Sequence, residues 1–508
     1  MGVYIGLDIV PNEINQEDWQ EVFEETLLLI QAYPFATYYV DNLDGFKRLV
    51  LDRTEEQYVD KYGLKEKYWN IIGDLESKET GESFTLFSSI AKYSEVKEER
   101  LKEDILLGFL NKDDWGAREV FYSKTQGKNY HNFILAIAAL IENRFPMFAC
   151  CYGNISIEQA QKAVDWANSL LDRPIDLPVR VNPSKLLKRL EVIEIEEKRL
   201  EALYELSIGV NAELDGLIAE QFTINTVRNY FSRELQRFKS AAQLGARLII
   251  IRYLNTGLPL EILVDICCFD NKGPRFKSID FIKAICSSWV FIDPEIREDM
   301  GIAKRWADLP DSIESQFGSI FLDLGFIGRH TSRYIEKNDL LSIFKGKFYK
   351  EKTEQIVNKE YQKLIERLKI KRQELKEEYT ANREKNVIDT LDLLVFWDNT
   401  YMISESIMNV IATIKEAVEE DMANKSNLIQ MIGNAEEQGQ LIKVLSQLIQ
   451  EHHNLVLTRE AWDWIENEAN DVIKRMVIML LTFESDVNLR KLYKALFENK
   501  DLFYTYLK

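Results

Sequence analysis

The sequence predicts an α+β N-terminal domain followed by a large all-α helical region, and three observations lead there. Strand-like and helix-like segments interleave irregularly over the first 180 or so residues, which favours α+β over a doubly wound sheet. All ten prolines lie at or before Pro310. After Gly346 only Gly433 and Gly439 remain. A stretch without either helix breaker defaults to long helices.

Taken in order, Val3 to Val10 is a short apolar run ending at Pro11, a strand. Gln16 to Tyr33 carries Trp19, Val22, Phe23, Leu27 and Ile30 at helical spacing and stops before Pro34. Phe35 to Val40 and Phe46 to Leu51 read as strands around the turn Asp41 to Gly45. Tyr68 to Gly73 and Ser83 to Phe87 repeat that pattern. Asn129 to Glu142 is a helix with Asn129 as N-cap, Met147 to Tyr152 a strand, and Ser156 to Leu171 a helix. There Ser156 and Gln159 stand in capping-box register. Asp172 to Pro183 is Pro-containing and reads as a linker. Ser184 to Leu206 is a charged amphipathic helix, and helices alternate with Gly/Pro turns up to about residue 345. Glu351 to Asn386 is a long charged helix with a narrow seam of Ile356, Leu364, Leu368, Leu375 and Tyr379, suited to an antiparallel helical arm. Val387 to Lys508 is a run of amphipathic helices. The expected domains are 1–182 (α+β), 183–346 (helical) and 347–508 (proline-free bundle or arm).

Composition narrows the class. The chain has 508 residues, 46% hydrophobic and 29% charged, with a net charge of −19. That apolar share is too high for a disordered chain. The longest apolar stretches, Phe133 to Ile141 and Met476 to Leu481, fall short of the roughly 20 residues that span a bilayer. The N-terminus lacks a basic region before its apolar run, so no secretory signal is expected and the setting reads as cytoplasmic. Five cysteines, four of them in the vicinal pairs Cys150-Cys151 and Cys267-Cys268, give no disulfide framework or zinc spacing. They read as buried thiols in a reducing compartment. A charge of −19 disfavours general nucleic-acid binding.

Catalytic signatures are absent. There is no His-Glu-x-x-His, no Gly-x-Ser-x-Gly, no P-loop and no Gly-x-Gly-x-x-Gly. Four histidines are present; His452 and His453 read as solvated residues at a helix end. Three weaker constellations remain. Asp74, Glu76 and Lys78 alternate after a strand; on a continuing strand they share one face, where two carboxylates and a Lys hold Mg²⁺ for phosphodiester cleavage. A polar hairpin turn explains the same residues. Tyr122 to His131 sets Lys124 and Lys128 before a helix start, a candidate phosphate loop that equally reads as an ordinary loop. Two basic islands interrupt the acidic chain. Arg228, Arg233, Arg237, Lys239, Arg247 and Arg252 against Glu234 give a net +5 between residues 227 and 252, and a second island of +4 lies between 325 and 350. Such patches bind phosphates or pair with the chain's own acids, and 83 acidic residues favour pairing. The C-terminal aromatics Trp462, Trp464, Phe497, Phe503, Tyr504 and Tyr506 read mainly as packing.

The functional expectation is a cytosolic macromolecular-interaction protein, of adaptor, immunity or defence type. It binds a protein partner through its helical region, without membrane or cofactor. The alternatives are an Mg²⁺-dependent nuclease or phosphohydrolase at Asp74/Glu76/Lys78, and nucleic-acid binding through the 228–252 face.

Overall fold

The computed structural model describes residues 3–61, 64–94, 104–111, 116–209, 212–299, 325–349, 352–383, 386–423, 427–483 and 486–508. A sheet-rich N-terminal region is followed by a largely helical one. The chain divides into two compact units. The first comprises Met1–Tyr33, Glu55–Asn70 and Gly81–Lys376; the second comprises Pro34–Thr54, Ile71–Thr80 and Glu377–Lys508.

In the first unit a three-stranded antiparallel sheet has Tyr4–Ile9 at its centre, between Arg118–Lys124 and Ala149–Gly153. Period-2 alternation places Ile5, Leu7 and Ile9 on one face, all fully buried. The strand Arg118–Lys124 escaped the sequence reading, because Arg-Glu-Val-Phe-Tyr-Ser-Lys alternates poorly. Helix Gln16–Ala32 starts at Asn15, whose side chain accepts from the Asp18 backbone N–H at 2.8 Å. Its end before Pro34 follows from the restriction proline places on the preceding residue. Helix His131–Arg144 is buried on nearly every side. It begins at His131, not at an Asn129 cap; no side chain caps it. Within it the fully buried Glu142 accepts from the backbone N–H of Cys151 (2.7 Å) and Val179 (2.6 Å), tying helix, strand and the following loop together. Helix Ile157–Asn168 carries the expected Ser156/Gln159 capping box.

The expected single helix Ser184 to Leu206 is two helices, Pro183–Leu190 and Glu196–Leu206. Asn182 caps the first, and the β-branched residues Val192, Ile193 and Ile195 weaken the helix between them. These helices open an apolar core that runs on through Phe231, Tyr253, Phe281, Trp289 and Phe344. The long helix is Thr353–Arg383, 31 residues. Its seam is wider than expected: Val357, Leu364 and Leu368 enter that core. The side chains of Leu375 and Tyr379 lie outside the described ones.

In the second unit, strands Phe35–Leu43 and Phe46–Arg53 form an antiparallel hairpin, each longer than its sequence pattern indicated. Asp44 and Gly45 turn it with φ of 49° and 82°, the left-handed pair a two-residue hairpin requires. Leu457–Thr458 adds in parallel to Val50–Leu51. Helices from Glu405 onward enclose a core of Trp462, Met476, Tyr493, Phe497 and Phe503. The C-terminal aromatics therefore pack; Trp464, half-buried, donates its indole N–H to the Phe497 carbonyl at 2.8 Å.

All five cysteines are free thiols, and four are buried. Cys150 and Cys151 point to opposite faces of their strand, as neighbours on a strand must. Burial pushes both thiols well above their usual range, so neither is a ready nucleophile.

No helix among the described residues is long and apolar enough to cross a membrane.

Candidate functional site

Asp74, Glu76 and Lys78 occupy a turn, and each has different company. Asp74 is fully buried; its carboxylate accepts from the Ser77 backbone N–H (2.6 Å) and hydroxyl (2.8 Å). Burial raises its pKa, with smaller contributions from Glu76 and Glu79. Glu76 is exposed. Lys78 sits in the left-handed region at φ 54°. Its ammonium lies 3.4 Å from the Glu498 carboxylate and 3.2 Å from the Glu498 carbonyl. The turn ends the strand that would have aligned the three, so the side chains are not presented on one face. No group of three or more His, Cys, Asp or Glu side chains suited to a metal ion occurs among the described residues.

The Tyr122 to His131 loop differs from a phosphate cradle in the same way: its donors are taken. Gly127 N donates to Thr125 Oγ1 (3.3 Å), Lys128 N to the Thr125 carbonyl (3.1 Å) and His131 N to the Lys128 carbonyl (2.9 Å). Lys124 ends a strand, and its ammonium pairs with Glu82 at 3.2 Å. His131 is buried with Nδ1 2.6 Å from Thr125 Oγ1. Of the adjacent histidines His452 is exposed, but His453 is buried, its Nε2 donating to the Leu480 carbonyl at 2.9 Å. Burial lowers the His453 pKa, so it serves as a neutral core residue.

The basic islands are partly neutralised within the first unit. Arg228 pairs with Asp270 at 3.1 Å, Arg233 with Glu201 and Glu234, and Arg237 with Glu234 at 2.9 Å. The Lys239 backbone N–H is bound by the Gln243 side chain at 2.7 Å. In the second island Lys345 pairs with Glu354 at 2.7 Å and Lys347 with Asp265 at 2.6 Å. Lys350 lies outside the described residues.

A feature the sequence reading missed is a groove of about 850 Å³ in the first unit. Helix Ile105–Asn111 and helices Pro183–Leu190 and Glu196–Leu206 supply most of its lining, with Met147 from a loop. Val192 and Met147 stand in it 63% and 45% exposed. Both are large apolar side chains left in water within one concave surface. Asp104 and Arg189 line it as a two-pronged ion pair, Arg189 Nε to Asp104 Oδ2 at 2.8 Å, with most of both side chains buried. Lys198, Glu201 and Glu205 add charge. The signal in the sequence was the break at Glu191 to Ile195, where Val192 and Ile195 stay exposed between two helices while Ile193 packs against the core.

A second missed residue is Asp8, on the central strand. Gly6, two residues earlier, leaves room for Tyr152 to lie over the backbone; a Cβ there would fall 2.5 Å from the ring. Tyr152 stacks on Tyr122 (centroids 5.5 Å apart) and Tyr122 on Tyr4 (4.8 Å). The Tyr152 hydroxyl donates to Asp8 at 3.0 Å. Burial first, then Glu119, lift the Asp8 pKa from 3.8 to about 6, against the Tyr152 hydrogen bond and Arg180. The folded state therefore holds the Asp8 proton more tightly than the unfolded one. Its contribution to stability is full below pH 3.8, declines as pH rises to about 6 and is flat above. Asp8→Asn is expected to stabilise the protein by about 1–3 kcal/mol at neutral pH. It should have little effect near pH 4. Urea unfolding of both chains across this range checks it; equal curves at every pH contradict it.

No protein-family model matches the chain, and no curated protein or solved structure does.

Proposed function

We propose that this protein is a macromolecular-interaction component that binds a protein partner through its helical region, at the groove between helices Ile105–Asn111, Pro183–Leu190 and Glu196–Leu206. The observation that carries the reading is the exposure of Val192 and Met147 within that groove. An apolar strip beside an oriented charge pair suits an amphipathic segment: the strip buries its apolar face and the charges set its register. Buried free thiols fit a cytoplasmic setting.

The test is site-specific photo-crosslinking with the full chain in its native cell. A crosslinker at Val192 is expected to trap one protein stoichiometrically; the same crosslinker at the exposed Leu170 is not. Val192→Asp should weaken capture about tenfold or more. Folding stability should stay within about 0.5 kcal/mol. Equal capture by wild type and Val192→Asp overturns the assignment.

A further inference from the structure

The hairpin of the second unit has one covered edge and one open edge. On strand Phe46–Arg53 the Leu49 N–H donates to the Gln450 side chain at 2.7 Å, and Gln450 donates back to the Lys47 carbonyl at 3.3 Å. Leu457–Thr458 covers the same edge at Val50–Leu51. Strand Phe35–Leu43 has no such cover. On its outer side it meets another strand only through Phe35 and Ala36, opposite Asp74 and Gly73. The two-residue turn makes Leu43 and Phe46 a hydrogen-bonded pair, and bonded pairs then fall at every second residue. The Thr54 N–H on the Phe35 carbonyl, at 2.7 Å, keeps that phase. Thr37, Tyr39, Asp41 and Leu43 therefore turn their backbone groups toward Phe46–Arg53. Tyr38, Val40 and Asn42 turn theirs outward, where no hydrogen bond reaches them among the described residues. All three side chains are exposed, Val40 by 60%.

Proline, lysine or a bulge usually blunts an open edge. Here the register runs unbroken from Ala36 to Leu43. The one charge on this stretch, Asp41, is taken up by Arg48 and Arg459. We infer that this edge pairs with the same edge of a second copy of the chain, antiparallel about a two-fold axis through Val40. The edge is complementary to itself in that register. Val40 faces Val40 of the copy and Tyr38 faces its Asn42, so every outward N–H and C=O on both strands finds a partner. Tyr39 stands opposite Asp41 of the copy, and no like charges meet. The exposed Val40 side chains cover each other. Other registers are worse. Sliding the copy two residues toward its turn sets Asp41 against Asp41, which repulsion disfavours. Sliding it two residues the other way brings Asn42 against Ala36, already paired with Gly73. The outward residues are neutral, so a charged peptide finds nothing there to read. This edge is separate from the groove and does not rest on it.

The test is sedimentation equilibrium of the full chain over a range of concentrations. Physiological salt screens its charge of −19 beyond about 8 Å. A monomer–dimer equilibrium is expected. Val40→Pro removes an outward N–H that the hairpin does not use, a change an edge strand tolerates. It should weaken the dimer about tenfold or more. Val40→Lys keeps the N–H and sets a charge against its own copy, and should weaken the dimer as well. Both variants retain the bonds to Phe46–Arg53, so their urea midpoints should match that of dilute wild type. Leu170→Lys, at an exposed site in the first unit, should leave the dimer unchanged. Amide hydrogen exchange locates the contact: the Val40 N–H should exchange more slowly as the wild-type concentration rises. Three results overturn the proposal: a monomer at every concentration, a dimer unchanged in both folded variants, or Val40 exchange that ignores concentration. A chain that stays monomeric while Val40 crosslinks to a different protein assigns the edge to that protein and overturns it too.

Discussion

Glu498→Ala is expected to destabilise the second unit by about 3–5 kcal/mol, the range for removing one partner from a buried charged network. The Glu498 side chain is wholly buried. One oxygen accepts from the Thr458 backbone N–H at 2.8 Å and the other from the Thr458 hydroxyl at 2.6 Å. Thr458 in turn caps helix Arg459–Glu466 through the Ala461 N–H at 3.2 Å. Alanine leaves a buried donor unmet, frees the capping hydroxyl's own anchor and strips Lys78 of its counter-charge. Lys78→Ala is the weaker lesion. Its side chain is 18% exposed, and the carboxylate it leaves keeps both Thr458 donors, so about 1 kcal/mol is expected. Glu498→Gln, which keeps one acceptor but no charge, should fall between. Denaturant unfolding followed by tryptophan fluorescence ranks the three. A Glu498→Ala chain no less stable than Lys78→Ala contradicts the network.

The second large effect concerns Arg48, 4% exposed on the hairpin strand Phe46–Arg53. Its guanidinium reaches Asp41 at 3.0 Å and Glu466 at 2.6 Å and lies 4.2 Å from the centre of the Trp462 ring. Asp41 is shared with Arg459 at 2.7 Å, which also meets Asp52 at 3.2 Å. Arginine suits this place because a planar fork can pair with two carboxylates while stacking on an indole. Arg48→Ala is expected to cost about 3 kcal/mol. That is the lower end for a broken buried pair, because Asp41 and Glu466 are 28% and 38% exposed and regain water. Arg48→Met, which retains most of the apolar stem over Trp462, should recover about half. The two variants separate packing from charge: equal losses assign the stabilisation to the ion pairs, and no loss in Arg48→Met assigns it to the stem.

Neither network was legible in the sequence, and the reason is distance along the chain. Helix Gln16–Ala32 and the Ser156 capping box are local, so spacing and cap residues announced them. The broken helix at Glu191 to Ile195 was also local, but the apolar residues there continued a helical pattern and hid the gap. Arg48 and Glu466, or Lys78 and Glu498, are some four hundred residues apart. Only the fold brings them together. The charge islands fall between these cases. Composition favoured internal pairing, and Arg228, Arg233 and Arg237 are paired. The groove draws Leu107, Met147 and Val192 from three segments, and no one of them alone outlines it. Asp74, Glu76 and Lys78 read as one face only if the strand continued past Asp74, and the turn at Lys78 stops it.

The parallel pairing of Leu457–Thr458 with Val50–Leu51 has a consequence for the order in which the chain is made. The hairpin leaves the ribosome roughly 400 residues before the strand that completes its edge, about 20–80 s at ~5–20 residues per second. Throughout that time Phe46–Arg53 has an unsatisfied edge, the kind that invites pairing with another nascent chain. The second unit can mature only after its segment Glu377–Lys508 has been made. Early release of the chain then yields an adhesive fragment rather than a smaller folded protein.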